Sequence, residues 1–216
     1  MSTTADLSAD LLALYLERFV GVPIYCGDES SAGLDDGDEV GSYALQDTTA
    51  DQQRVEDYLQ SRCDRASQIL HIGLGNSRLA QRFCHSVSAI VGIAICKSEI
   101  DHALSCSIAN YLPMLMNKYS MPFVGAFGPN FDFVLDNNPT SFCCCYLHFC
   151  RMMTTYRRVL RKGGTIVTDR IGLAWVPAEA HPRWSFDFAD WARVGEVLGL
   201  SVRDVNGDVF TMEFAK

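Results

Sequence analysis

The sequence predicts an α/β fold: a seven-stranded, mostly parallel sheet flanked by helices, with a C-terminal antiparallel β-hairpin and an N-terminal helical cap. Three observations carry this. The stretch Ile69 to Ala80, ILHIGLGNSRLA, runs from a short apolar segment through Gly73-Leu74-Gly75-Asn76-Ser77 straight into a helical pattern. That is the strand, glycine turn and helix start of a nucleotide-binding unit, where unpaired N–H groups face an approaching ligand. Apolar, β-branched runs then alternate with helical periodicity, which argues for parallel strands joined by crossover helices. Finally, Asn206-Gly207 separates two closing strand patterns and marks a hairpin turn.

Each element follows from its local pattern. Ser8 to Phe19 carries leucines and aromatics at helical spacing, and Gly21 and Pro23 end the segment. Residues 27–47 are rich in Gly, Ser and Asp, with the acidic run Asp35 to Glu39, and read as a solvated loop or as a lid over a ligand site. As a lid, it would turn Tyr25 and Tyr43 inward. Asp47 or Thr49 can cap a helix to about Cys63 that buries Val55, Tyr58 and Leu59. The first strand is Gln68–Ile72, followed by a helix from Arg78 to about His85 and a second strand over Ser88–Ile95. A helix from Lys97 to about Tyr111, with Ser98 as its cap, leads to a third strand near Met121–Gly125.

Phe131–Leu135 is the fourth strand, and polar Asp136-Asn137-Asn138 before Pro139 marks its carboxyl end as a functional edge. A helix from Phe142 to Leu160 ends at Gly163-Gly164, and Thr165–Asp169 forms the fifth strand. After a loop with Trp175 come a helix from Asp187 to about Leu198 and the strands Ser201–Val205 and Val209–Phe214. Residues 1–66 are thus N-terminal helices and a lid loop packed on a core of residues 67–216, one compact domain overall.

Composition narrows the function. The chain has 216 residues, 48% hydrophobic and 20% charged, with a formal net charge of −8. That balance argues against a nucleic-acid partner, which needs a basic face. No signal peptide or bilayer-spanning apolar run is visible, so no membrane partner and a cytoplasmic location are expected. Nine cysteines, three of them adjacent at Cys143-Cys144-Cys145, form no C-x-x-C pair. Cys145, His148 and Cys150 have donor atoms but not the spacing of a common zinc motif, so the thiols are read as buried small hydrophobes and no metal is expected. Free thiols suit a reducing compartment. The sequence is compatible with a homo-oligomer.

The residues resemble the class I S-adenosylmethionine-dependent methyltransferases, whose fold is Rossmann-like. ILHIGLGNSRLA is similar to the family's first motif, VGIAICKSEI to its second strand, FDFVLDNN to its fourth, and YRRVLRKGGTIVTD to the helix and fifth strand that follow. The resemblance covers roughly Gln68 to the C-terminus. It implies S-adenosylmethionine as cofactor, bound across the carboxyl ends of strands one, two and four. Onto this chain it places His71, Gly73, Gly75 and Asn76 at the glycine loop, Ala94 and Ile95 at the end of strand two, and Asp136 after strand four, with Tyr43 reaching in from the lid. Three departures stand out. His71 replaces the usual acid before the first glycine, and Ser77 replaces the third glycine. No acid stands near Ala94, where the ribose is ordinarily held, nor near Ala126 after the expected third strand. Each such hydrogen bond contributes about 1.5–3 kcal/mol, so backbone groups, Glu99 or Asp101 must substitute, or the fold serves as a non-catalytic binding module.

The resemblance implies methyl transfer to a small-molecule acceptor, such as an amine or hydroxyl of specialised metabolism. This reaction needs alignment more than acid–base groups. Asn137 and Asn138 would orient the nucleophile, and Trp175 would lie near the sulfonium. Asp169, Arg170 and a His71 base are further candidates, although a histidine ending a buried strand is commonly a structural group. The Asp-Asn-Asn-Pro edge lacks the second proline and the aromatic of the Asn-Pro-Pro-Tyr motif of amino-methylating nucleic-acid enzymes. The chain also resembles the azetidine-forming members of the superfamily in being compact. That implies, as an alternative, cyclisation of S-adenosylmethionine to azetidine-2-carboxylate with release of methylthioadenosine.

Overall fold

The computed structural model describes residues 8–27 and 43–214. Residues 28–42, most of the expected lid with its acidic run, lie outside the described residues. The element order is α1 (Ala9–Arg18), α2 (Ala50–Gln60), β1 (Gln68–Ile72), α3 (Arg78–Phe83), β2 (Ala89–Ala94), α4 (Lys97–Ser105), β3 (Tyr111–Leu115) and α5 (Met121–Ala126), then β4 (Phe131–Asp136), α6 (Tyr146–Val159), β5 (Leu160–Asp169), α7 (Arg170–Ala174), α8 (Phe188–Val197), β6 (Leu200–Asp204) and β7 (Val209–Phe214). The strands form one seven-stranded sheet in the order β3-β2-β1-β4-β5-β7-β6. β1 to β5 pair in parallel, and β7 runs antiparallel between β5 and β6. The order reverses between β1 and β4, and their carboxyl ends open a crevice there.

Successive strand residues feed opposite cores, as the pleat requires. Leu70, Val134 and Ile166 join one cluster with the aromatics of α6 and Trp184, Phe186 and Trp191. Ile69, Leu135 and Val167 join the other, with Val55 and Leu59 of α2. The N-terminal segment is part of this packing. Phe19 is fully buried among Tyr146, Phe149, Trp184 and Phe186, with ring centroids 4.9–5.6 Å apart. Arg18 pairs with Asp190 and lies over the Phe186 ring at 5.3 Å. α8 starts as expected at Asp187, whose side chain accepts from the Asp190 N–H while Asp190 accepts in return, a capping box.

Four expectations are corrected. The third strand is Tyr111–Leu115, and Met121–Ala126 is a short helix. β3 is an edge strand, so it tolerates Pro113 and exposes Leu112, which blurs the apolar run. Pro122 instead starts a helix, where its missing N–H costs nothing. The helix after β2 therefore stops at Ser105, and its cap position is Cys96 rather than Ser98. Thr49 stands at the cap of α2, without a side-chain cap bond. α6 begins at Tyr146, four residues late, because Cys145 is fully extended at φ −159°. Its chain leaves the helix at Leu160 and joins β5 at once, with a register shift between Phe131 and Phe133. The thiols are also less uniform than expected: Cys96, Cys143, Cys145 and Cys150 are buried, while Cys26 and Cys144 are exposed.

The α8–β6 contact is closed by a glycine. A Cβ on Gly195 would lie 2.2 Å from the Val202 Cγ2 and 3.3 Å from the Leu200 carbonyl. Gly195→Ala is expected to lower stability by about 1–3 kcal/mol through overpacking, measurable by urea denaturation at unchanged m-value.

Candidate active site

The glycine loop is built by backbone conformation. Gly73, Gly75 and Ser77 all have left-handed φ, +76°, +50° and +59°. Ser77 thus takes a left-handed conformation that a non-glycine residue adopts only under constraint. Its hydroxyl lies 3.4 Å from the Tyr111 hydroxyl in the core. The N–H groups of Gly73 and Leu74 donate to the Ile93 carbonyl, which ties the loop to the end of β2. A Cβ on Gly73 would meet no atom within 4 Å, because it would project into a cavity.

That cavity, about 540 Å³, lies at the carboxyl ends of β1, β2 and β4 and is roofed by residues 43–52. Ten of the eleven expected site residues line it: His71, Gly73, Gly75 and Asn76; Ala94 and Ile95; Asn137 and Asn138; Tyr43; and Trp175. Asp136 is the exception. Its carboxylate is buried behind the wall, where Lys118 Nζ donates at 2.8 and 3.0 Å and the Tyr156 hydroxyl at 2.5 Å. The Asn138 N–H also points to it at 3.3 Å, and Lys118 donates to the Asn138 carbonyl at 2.9 Å. Asp136 thus shapes the loop after β4 and does not face the cavity. A strand-end acid reads the same in sequence whether it faces ligand or anchors a loop.

Asn137 meets the cavity wall in a tight position. Its Nδ2 donates to Asp51, its carbonyl accepts from the Thr168 hydroxyl at 3.1 Å, and a Cβ on Gly172 would lie 2.1 Å from that carbonyl. The buried Asn137 Oδ1 has no partner among the described residues. Trp175 ends α7 and meets Phe142 edge-on at 5.6 Å; both are partly exposed and form an aromatic wall with Ile171. Asp169 and Arg170 lie outside the cavity lining. Asp169 caps α7 through the Ile171 N–H and holds Arg54 of α2 by bonds of 2.8 and 2.9 Å, and Arg170 pairs with Asp208.

The roof is fastened by polar contacts. Asn76 donates to the Gln46 carbonyl at 2.7 Å and to the Thr48 hydroxyl at 3.1 Å. Glu99 accepts from the Tyr43 N–H at 3.0 Å and lines the cavity, whereas Asp101 is exposed and pairs with Lys97. Burial raises the pKa of Glu99 above the usual carboxylate range, opposed by backbone bonds from Tyr43 and Gly75. Tyr25 does not reach the site; its ring packs edge-on against His148 at 6.0 Å. Because β3 ends at Leu115, the position after the third strand is Met116-Asn117-Lys118, which lines the cavity, and not Ala126. Asp51, Gln52, Asn117 and Phe142 were not anticipated. Their only signal was nearness to strand ends and to the roof, which requires the correct third strand to see.

His71 is neutral at physiological pH. Burial pushes its pKa down to about 4, and its Nε2 lies 3.4 Å from the Gln52 Nε2. A base so weak removes little proton density from a substrate near pH 7, so the structural reading of His71 is the better one.

No protein-family model matches the sequence, and no curated protein sequence matches it. Solved structures do. The chain is similar to YcgJ from Bacillus subtilis, with TM-score 0.56, 16% identity and 71% of each chain covered. It is similar to a TehB-like SAM-dependent methyltransferase from Corynebacterium glutamicum, with TM-score 0.56, 15% identity, and 74% of this chain and 87% of that chain covered. It is also similar to the [4+2]-cyclase SpnF, with TM-score 0.54, 17% identity, and 90% of this chain and 70% of that chain covered. The chain shares the Rossmann-like fold of these structures.

Two outcomes follow from the buried ionisable groups. The lowered His71 pKa means that the unfolded chain binds a proton between pH 6.5 and about 4 that the native chain does not. Stability should therefore fall by about 3 kcal/mol from this group as pH drops through that window. His71→Gln should flatten the slope in pH-dependent denaturation. Asp136→Asn leaves Lys118 without its charge partner and should cost about 3–5 kcal/mol, read as a lower denaturation midpoint.

Proposed function

We propose that the protein binds S-adenosylmethionine in this cavity and transfers its methyl group to a small-molecule acceptor. The observation that carries this reading is the charge of the cavity. Asp47, Asp51, Glu56 and Glu99 line it. Glu56 is paired with Arg82 outside the lining, and the one lining cation, Lys118, is held by Asp136, which leaves Asp47, Asp51 and Glu99 without an ion-pair partner among the described residues. An acidic crevice beside an open glycine loop suits a ligand that carries a sulfonium and an ammonium. The open face at Gly73 is the feature such a ligand would fill.

When bound, S-adenosylmethionine supplies a methyl carbon activated by positive sulfur. The chain's own residues do the rest. The glycine loop, with Gly73 and Gly75, would hold the methionine part, and Glu99 would stand in for the ribose acid missing at Ala94. Asn137 and Asn138 would orient an amine or hydroxyl. Trp175 and Phe142 would exclude water and face cationic charge. A small acceptor fits the volume, the acidic lining and the net charge, and a role in specialised metabolism fits the same reading. A second reading, formation of azetidine-2-carboxylate and methylthioadenosine without an acceptor, is favoured by the Asp51 carboxylate, which lines the cavity where the Asn137 Nδ2 donates to it and can pair with the amine of the methionine part itself.

The test is incubation with S-adenosylmethionine, with and without amine and hydroxyl acceptors, followed by mass spectrometry. Adenosylhomocysteine formed only with an acceptor is the expected outcome. Methylthioadenosine formed alone would establish the second reading, and absence of binding in calorimetry would leave a non-catalytic module. Asn137→Ala should reduce turnover about 10- to 100-fold, the cost of one oriented hydrogen bond.

A further inference from the structure

The cysteine-rich turn before α6 holds a second constellation, on the far side of the loop that carries Asn137, Asn138 and Phe142. We propose that Cys26, Cys144, Cys145 and His148 form a Cys3His site that binds a zinc ion. Their four ligand atoms all lie within 4.8 Å of one another. His148 Nδ1 is the centre of the group: the sulfurs of Cys144, Cys145 and Cys26 stand 3.1, 3.3 and 3.5 Å from it, and Cys144 and Cys26 are 3.5 Å apart. In a tetrahedral zinc site with Zn–S about 2.3 Å and Zn–N about 2.1 Å, sulfur–sulfur edges are about 3.8 Å and sulfur–nitrogen edges about 3.6 Å. The three sulfur–nitrogen edges and the Cys26–Cys144 edge lie 0.1–0.5 Å short of these values, and the remaining edges are no longer than 4.8 Å.

Hydrogen bonding alone accounts poorly for the cluster. A neutral imidazole nitrogen engages one partner well, either as donor or as acceptor, yet three sulfurs converge on Nδ1. The other ring nitrogen, Nε2, is buried and has no partner among the described residues. Ligation through Nδ1 puts the ring proton on Nε2 and lets all three sulfurs act as thiolates toward one cation. The three thiols release their protons to solvent on binding, and the resulting negative charge sits at the N-terminus of α6, a 14-residue helix.

The scaffold is already arranged for this. The N–H groups of Tyr146 and Leu147 donate to the carbonyls of Pro23 and Ile24 at 2.9 and 3.0 Å, which brings Cys26 beside the start of α6. Cys145 and His148 stand at the cap and third positions of that helix and share one face. With four protein ligands the site is closed and structural. It would staple the N-terminal segment to the turn that ends the cavity wall. Cys150 is not a member; it lies within the core cluster. The ligand set is Cys26 with a Cys-Cys-x-x-His run 118 positions on, a spacing that no common zinc motif shares.

The test uses the full chain purified under reducing conditions and incubated with zinc, followed by removal of excess metal and elemental analysis. About one zinc per chain is expected. Replacement by cobalt should give sulfur-to-cobalt charge transfer in the near ultraviolet and the intense visible bands of tetrahedral coordination. Cys26→Ser and Cys144→Ser affect exposed side chains, so folding should persist by circular dichroism while zinc affinity falls at least 10-fold. Chelation should lower the thermal midpoint of the wild type and leave the double variant unchanged. A folded wild type without zinc, a cobalt spectrum without thiolate bands, wild-type zinc content in the double variant, or a Cys26–Cys144 disulfide in place of metal would each overturn the proposal.

Discussion

The buried carboxylate of Asp136 is the point on which the cavity depends. It gathers an ammonium from the turn after β3, a phenol from α6 and a backbone N–H from its own loop. Tyr119 adds to the same knot by donating to the Pro139 carbonyl at 2.6 Å. An ion buried this deeply is tolerable only when its hydrogen bonds are satisfied. Here the satisfaction fixes three elements around the crevice. The loop after β4 leaves the sheet in one conformation, and Asn137 and Asn138 take their places on the wall because Asp136 does not.

Around that knot the cavity combines buried acids with a histidine that stays neutral. Glu56 and Glu99 are both raised by burial and partly restored by their partners. His71, at the end of β1 beside the glycine loop, adds no competing positive charge. The field in the crevice is therefore set by carboxylates near the glycine loop, and a cationic ligand would be the complement of that field.

Much of this was legible in the sequence. The glycine loop, β1, β2, β4 and the terminal hairpin carry strong local signals, and the residues at or just after the ends of β1, β2 and β4 line the cavity. The third strand was misplaced because Tyr111–Leu115 contains a proline and lies at the sheet edge, where pattern is weakest. That one displacement moved the expected position after β3 from Met116–Lys118 to Ala126 and hid Lys118. The roles of Asp136 and Asp169 were hidden for another reason. Both end strands, as ligand-binding acids do, but their partners, Lys118, Tyr156 and Arg54, come from distant positions that no spacing rule connects. The convergence of Cys26 with Cys144 has the same character.

The roof of the cavity is attached in two different ways along its length. Toward the C-terminal end of α2, Val55 and Leu59 are fully buried in the core. Over the mouth the attachments are polar: Asp51 to Asn137, Arg54 to Asp169, Asn76 to Gln46 and Thr48. The roof is thus rooted by hydrophobic packing at one end and held by polar contacts over the mouth, with one buried carboxylate, Asp169, anchoring α2 to the start of α7.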